Sequence, residues 1–403
     1  MDFFSQYDFV IIGEHPAALW AARKLLRSDL RVLILPLGHH SGANVLPRQA
    51  LGDFDWNPSA WPDRDGDPIQ VLSPGHRFRV VSDDEERKEE FKFHFGKDPA
   101  SNVMASPEFF RGLRCLQLGR DPGVAFDPGA AGMELLNQVN GTVYHDGESG
   151  WVTRRLLSRL EEWGAHVARP GQLRRIFLDR KNFVGVQLLG TSRMVAARYG
   201  ILACQLDHLR SMMSEDLDLR SKPSGWTFDV RFECAPDVIP PGLGTRMLVV
   251  ESGAPVLEVL REGKGQFRLR ITLPMSESTL ARDEQRRIAE RMLAVCQKLI
   301  PDLEYNLRKV VPDVRDPERA ETVDLPRLHP FDDLSRIPLE RLVYDETSSL
   351  PLETGVPNLF LIGEESLPSA GIHGGFEVAK RMFDLLAKRE QRPDLAQTAT
   401  PQS

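Results

Sequence analysis

Tyr7-Asp8-Phe9-Val10-Ile11-Ile12-Gly13-Glu14-His15-Pro16-Ala17-Ala18-Leu19 is the stretch whose reading decides the fold. Phe9 to Ile12 is an apolar, largely β-branched run that stops at Gly13, the pattern of a short buried strand. From Pro16 to Leu26 the pattern turns helical, and Ala17, Ala18, Ala21 and Ala22 leave a face that packs closely. Arg31 to Leu35 then reads as a second buried strand. Strand, tight turn, helix and strand within about 30 residues make a βαβ unit, with a phosphate-binding turn at 13–18.

Outward from that unit, residues 36–75 are rich in Pro, Gly and Asp and read as loop. His76–Val81 reads as a strand, and the charged stretch Asp83–Lys97 as a solvated helix. Residues 100–140 have weak periodicity and define no element. After Gly150, Val152, Leu156, Leu160 and Trp163 keep helical spacing, with Gly164 at the C-cap position. Short strands are expected at 165–168, 173–178, 183–189 and 193–197, then at Ile201–Cys204. In a second region Trp226, Phe228, Val230, Phe232 and Cys234 alternate with Thr227, Asp229, Arg231 and Glu233. Phe267, Leu269, Ile271 and Leu273 alternate with Arg268, Arg270 and Thr272 in the same way. Both are half-buried antiparallel strands, their apolar side expected at a domain interface and their charged side in water. A helix over about 280–300 carries Ile288, Met292, Val295 and Leu299 and stops at Pro301. Leu359 to Ile362 is a last buried strand, followed by a helix from about 374 to 388.

The bulk properties exclude several classes. A chain of 403 residues suits two interwoven domains. Its net charge of −7, with dispersed Arg and Lys, excludes a nucleic-acid footprint. Cys115, Cys204, Cys234 and Cys296 lie far apart, so neither a zinc site nor a disulfide framework is expected. The N-terminal residues lack a signal-peptide pattern and no apolar run approaches a membrane span, so a cytoplasmic setting is expected.

Three segments together resemble the flavin-dependent amine oxidase and phytoene desaturase superfamily. They are the 7–19 stretch, the run from Gly150 to Cys204 containing "LEEWGAHV", "FVGVQLLG" and "GILAC", and "GVPNLFLIGEESLPSAGIHGGFEVAKRM" near the end. The resemblance implies an α/β fold of the amine oxidase-like two-domain type. A Rossmann-like FAD/NAD(P)-binding domain would take residues 1–75, 140–222 and 335–390. An antiparallel-sheet α+β domain would take 76–139 and 223–334; the tail at 391–403, polar with two prolines, is by its composition expected to be disordered. It implies FAD as cofactor, with Gly13, His15, Pro16, Ala18, Gly42, Gly363, Glu364, Gly371, Ile372, His373 and Gly374 placed to hold it.

Against that pattern the individual residues divide. Gly13 keeps the first glycine role of a dinucleotide turn, and Ala18 serves as the third. His15 replaces the middle glycine and would project toward the pyrophosphate, either donating to it or filling a site that no longer binds one. Glu14 puts a carboxylate at the helix N-terminus, where it satisfies the dipole and repels phosphate. Pro36 stands where the superfamily carries a ribose-binding acid, and 41–44 is an eroded form of its next loop. His39 and His40 could contact adenine or be solvated loop. The flavin end is better kept: Gly363-Glu364 resembles the pair that meets the ribityl chain. The glycine-rich 371–375 segment would bring a helix N-terminus to the isoalloxazine. Tyr144, His145 and Asp146 are either a ring-side loop or a capping turn, and Cys204 reads as an inert core thiol. No general base, nucleophile or metal ligand stands out.

Two functions follow as expectations. In one, an FAD-dependent oxidoreductase transfers hydride from an apolar or amine substrate held between the domains. In the other, a catalytically silent relative keeps the fold to bind or scaffold a protein partner, without tightly bound FAD. The fold-wide resemblance and Glu364 favour the first, whereas Glu14, His15 and Pro36 favour the second.

Overall fold

The computed structural model describes residues 6–38, 45–56, 69–80, 84–96, 107–118, 121–122, 142–144, 150–191, 193–220, 222–274, 282–311, 342–343, 349–363 and 365–398. The opening βαβ unit forms as its pattern dictates. Strand β1 (Gln6–Gly13) leads through helix α1 (Pro16–Arg27) to β2 (Val32–Leu35), which lies parallel to β1. α1 starts where Pro supplies a preset φ at its first position and ends with Lys24 and Arg27 in its last turn, where the dipole favours cations.

β1 and β2 sit in a seven-stranded sheet. Its path also takes β7 (His166–Val167), β8 (Leu173–Asp179), β9 (Asn182–Leu188) and β10 (Met194–Ala203), in the order β7-β2-β1-β10-β9-β8. β10 is a single strand where two short ones were expected. Its first half pairs with β9, and its second half lies parallel to both β1 and β17 (Leu359–Leu361). Gly200, in the middle, keeps it continuous: an added Cβ there would sit 2.6 Å from Leu359 Cδ1. One face of this sheet packs on α1, α4 (Trp151–Glu162) and α6 (Gly371–Arg389). The other face, with Val10, Ile12, Leu33 and Leu35, packs on Ile176, Phe183, Val186 and their neighbours. Two apolar covers explain why β1 and β2 read as unbroken hydrophobic runs.

A second, eight-stranded sheet has the order β15-β11-β14-β13-β12-β4-β5, with β16 (Leu342–Val343) also on β11. Its strands are β4 (Ile69–Ser73), β5 (His76–Val80), β11 (Gly225–Cys234), β12 (Arg246–Val249), β13 (Leu257–Gly263), β14 (Gln266–Pro274) and β15 (Leu307–Val311). β3 (Val45–Pro47) and β6 (Thr142–Tyr144) pair separately. The alternation in β11 and β14 holds residue for residue, with Trp226 opposite Leu273 and Phe232 opposite Phe267. Its apolar side packs on α5 (Arg282–Leu299) through Met292, Leu293 and Cys296, not on the domain interface.

The charged side departs from the expected wet face. Asp229, Arg270, Glu258 and Arg246 form an alternating ion ladder across four neighbouring strands. Arg270 Nε lies 2.8 Å from Asp229 Oδ1, and Arg246 Nε lies 2.7 Å from Glu258 Oε1. These four side chains are only 5–11% exposed. Period-2 alternation reports two different faces, and only tertiary packing decides whether the polar one reaches water.

Three further expectations change. β4 falls in a stretch read as loop, where Pro and Gly obscured a five-residue strand. The charged 84–95 segment is helix α2 (Asp84–Phe95), yet Phe91 and Phe95 are buried in an aromatic cluster with Phe78 and Phe109. The 391–403 tail is helical over α7 (Pro393–Thr398), because Leu395 is buried in the first core and Arg392 reaches Ser28 O. Helix α3 (Pro107–Leu118), in a region without readable periodicity, packs on β4 and β12 and reaches α6. Gly112 permits that approach, since a Cβ there would sit 2.6 Å from Val71 Cγ1. Among the described residues no helix is long and apolar enough to cross a membrane.

Candidate functional site

The carboxyl ends of β1, β10 and β17 converge, and there Gly13, Cys204 and Gly363 come together. Gly13 has φ +106°, and a Cβ on it would lie 2.4 Å from Ala203 O. Backbone conformation and strand contact therefore both require glycine. A Cβ on Gly363 would be 3.9 Å from Cys204 O. Gly363 N donates to Ser366 Oγ (3.3 Å), which in turn donates to Leu361 O (3.0 Å), closing the turn after β17. Burial pushes the Cys204 thiol up in pKa, and Glu14 and Glu365 add to it, so this half-buried cysteine stays protonated. Glu365 is 1% exposed and accepts from Leu206 N (3.0 Å).

The turn from β1 into α1 is closed by its own side chains. His15 is the N-cap of α1, and its Nδ1 accepts from Ala17 N (3.3 Å). Ala18 N and Leu19 N donate to His15 O at 2.9 and 3.1 Å, and His15 N donates to Ala203 O at 3.2 Å. Pro16 has no N–H. The amides that a helix N-terminus would turn toward an anion are thus all engaged within the chain. Glu14, 4% exposed, reaches the end of β2, where its Oε2 accepts from Leu37 N (2.7 Å). A carboxylate does stand at the end of β2, but it comes from the turn rather than from position 36.

The second helix N-terminus lies against the first. Gly371, Ile372, His373 and Gly374 form the opening turn of α6, not a loop ahead of it. Its N-cap residue, Ala370, has no capping side chain, in contrast to His15 at α1. Gly374 lets Leu367 O approach, for a Cβ there would be 2.3 Å from that oxygen. Ile372 touches both the first core and the aromatic cluster on the second sheet, and His373 is half-buried. The next residue decides the geometry between the helices: a Cβ on Gly375 would lie 2.6 Å from His15 Cε1 and 3.3 Å from His15 Nδ1. The imidazole is seated on the bare backbone of α6. Trp20 packs beside it on Phe376 and Phe383, with ring centroids 5.8 and 6.1 Å apart.

Of the expected site residues, the structure places Gly13 and Gly363 at the ends of β1 and β17, His15, Pro16 and Ala18 at the start of α1, and Gly371, Ile372, His373 and Gly374 in the opening turn of α6, which faces α1. Gly42 and Glu364 lie outside the described residues, as do His39, His40, His145 and Asp146. Tyr144 lies in β6, paired with Val45. Sequence reasoning missed the partnership of His15 with Gly375, whose only signal was a doubled glycine at 374–375. It also missed the reach of Glu14 to Leu37 N, which local sequence does not announce. Among the described residues no group of three or more His, Cys, Asp or Glu side chains could hold a metal ion.

No protein-family model and no curated protein matches the chain. Solved structures do. A geranylgeranyl bacteriochlorophyll reductase-like protein from Thermoplasma acidophilum is 12% identical with a TM-score of 0.52, covering 98% of this chain and 82% of its own. An oxidoreductase from Methanosarcina mazei is also 12% identical with a TM-score of 0.52, covering 92% of this chain and 99% of its own. The myxobacterial chondrochloren halogenase CndH, a variant of FAD-dependent halogenases, is 13% identical with a TM-score of 0.52, covering 96% of this chain and 76% of its own. At such identities the likeness is one of fold. The chain has the two-sheet α/β fold of FAD-dependent oxidoreductases, and FAD is the cofactor that this fold implies. These neighbours do not single out the amine oxidase or phytoene desaturase type.

The residues present do not fit that cofactor along its whole length. In a dinucleotide fold the pyrophosphate lies at the N-terminus of the first helix. Here the imidazole of His15 fills the space between that N-terminus and α6, the amides are engaged, and the turn carries the buried carboxylate of Glu14. The flavin end is better kept: the opening turn of α6 is rich in glycine, and its N-cap residue, Ala370, has no capping side chain.

Proposed function

We propose that this protein is a non-redox relative of FAD-dependent oxidoreductases, one that uses the framework to bind a small organic molecule or a protein partner without carrying FAD. The observation that carries this reading is the His15 imidazole seated on Gly375, where a bound dinucleotide would place its diphosphate. Phosphate binding needs free N–H donors and positive potential. The turn offers engaged donors and a buried carboxylate instead. The boundary between the two sheets, where α3 and Ile372 lie, is where a ligand would sit, since domain boundaries are the usual place for one.

A second reading, hydride transfer from an apolar or amine substrate to FAD, is favoured by Gly13, which keeps the tight turn after β1, and by the glycine-rich start of α6. In that reading FAD accepts the hydride and the chain's residues only orient ring and substrate. One experiment separates the two. The purified protein is examined for visible flavin absorbance, then titrated with FAD while its thermal midpoint is followed. The proposal expects a colourless protein with no shift. Saturation at about 100 times a dissociation constant would instead add about 2.7 kcal/mol to stability and overturn it.

A further inference from the structure

We propose that His15 is a built-in substitute for a diphosphate. Its imidazole occupies the anion position between α1 and α6, couples the two helices, and sets the specificity of the groove against phosphate. This rests on the reading of the chain as one that works without FAD, and it extends that reading to the residue responsible.

Three observations carry it. The ring does two jobs at once, since Nδ1 accepts from Ala17 N while Cε1 faces the Gly375 backbone. A cap alone needs only a short acceptor such as Asn or Ser, so a ring is more than capping requires. Gly375 is matched to it: inside a helix, glycine costs stability relative to alanine, yet here a methyl would collide with the ring. Finally, Glu14 precedes His15 in the turn with its carboxylate buried and accepting from Leu37 N, so an incoming phosphate meets a carboxylate in the same turn as well as a filled volume.

The test compares His15→Asn with the intact chain, using imidazole and inorganic pyrophosphate as probes. Asn keeps the cap and removes the ring. The expected result is a lower thermal midpoint for His15→Asn that imidazole in the buffer restores. Pyrophosphate should leave the intact chain unshifted, and should bind His15→Gly combined with Glu14→Gln, which frees Ala17 N, at least about tenfold more tightly, the value of one recovered charge-assisted hydrogen bond. A His15→Asn protein as stable as the parent, or one rescued by neither probe, overturns the proposal and leaves His15 a simple cap. Equal pyrophosphate binding by parent and variant overturns it as well.

A second measurement does not depend on His15 variants folding. Carbethoxylation with diethyl pyrocarbonate should spare His15 in the intact chain while modifying the exposed His208. Gly375→Ala, which drives the ring from its seat, should make His15 reactive. Equal reactivity of His15 in both proteins would refute the seating. The FAD titration of the intact chain judges the functional reading, and these experiments judge His15, so either can fail without the other.

Discussion

Replacing Asp53 by alanine should be among the most damaging single changes in the first domain, and far worse than replacing its partner Lys24 by methionine. Asp53 accepts from Lys24 Nζ at 2.5 Å, Trp20 Nε1 at 2.7 Å and Arg27 at 3.1 Å. The Lys24 side chain is 1% exposed and that of Asp53 5%. Removing the carboxylate leaves a buried ammonium with no counter-charge, which costs about 3–5 kcal/mol. The orphaned indole N–H belongs to the same network, so its cost does not simply add. Methionine at position 24 keeps the apolar stem, and Asp53 retains Trp20 and Arg27. That change should cost about 1.5 kcal/mol, the value of one bond to a charged group.

The pH dependence supplies a second signature. Burial lowers the Lys24 pKa and the bond to Asp53 holds it up, so it falls further when Asp53 is gone. The unfolded chain then binds more protons than the folded one between the lowered value and 10.5, and stability rises with pH across that window. The deficit of Asp53→Ala should therefore shrink as the pH is raised toward 10.5. Urea unfolding followed by tryptophan fluorescence reads both effects, since Trp20 and the nearby Trp163, with Arg23 3.7 Å over its ring, report this site. Costs for the two variants within about 0.5 kcal/mol of each other, or a deficit independent of pH, would refute the reasoning.

Two other predictions concern the second sheet and the alkaline limb. Phe232→Ala should cost about 3–5 kcal/mol as a cavity against Phe267 and α5. Arg270→Ala should cost about 3 kcal/mol by breaking the buried ladder, and Arg231→Ala, half-buried with Glu262 3.9 Å away, about 0–1 kcal/mol by the same urea assay. Equal losses for the two arginines would show that the ladder is not coupled. The Tyr199 hydroxyl, pushed up to about 12 by burial and its bond to Glu390, stays protonated in the folded chain at pH values where the unfolded chain ionises at 10. The folded state then binds more protons, so stability falls between pH 10 and about 12. Tyr199→Phe should lose that part of the decline, and an unchanged alkaline limb would count against the assignment.

What the sequence determined by itself was everything local. The run Phe9–Ile12 ending at Gly13, the alanine face of α1 and the strict alternation in β11 and β14 follow from backbone periodicity and side-chain volume alone. The weakness of the dinucleotide turn was equally legible, because His15, Glu14 and Pro36 each break a rule stated by position. Only the tertiary structure decided what those departures do. His15 meets Gly375, and Glu14 meets the amide of Leu37, at the end of the next strand. The charged face of the second sheet closes into a ladder because strands far apart in the chain bring acids and arginines into register. Asp53 becomes the buried centre of a cationic cluster for the same reason. Contacts of this kind join residues whose separation in sequence is unrelated to their separation in space, and no local pattern encodes them.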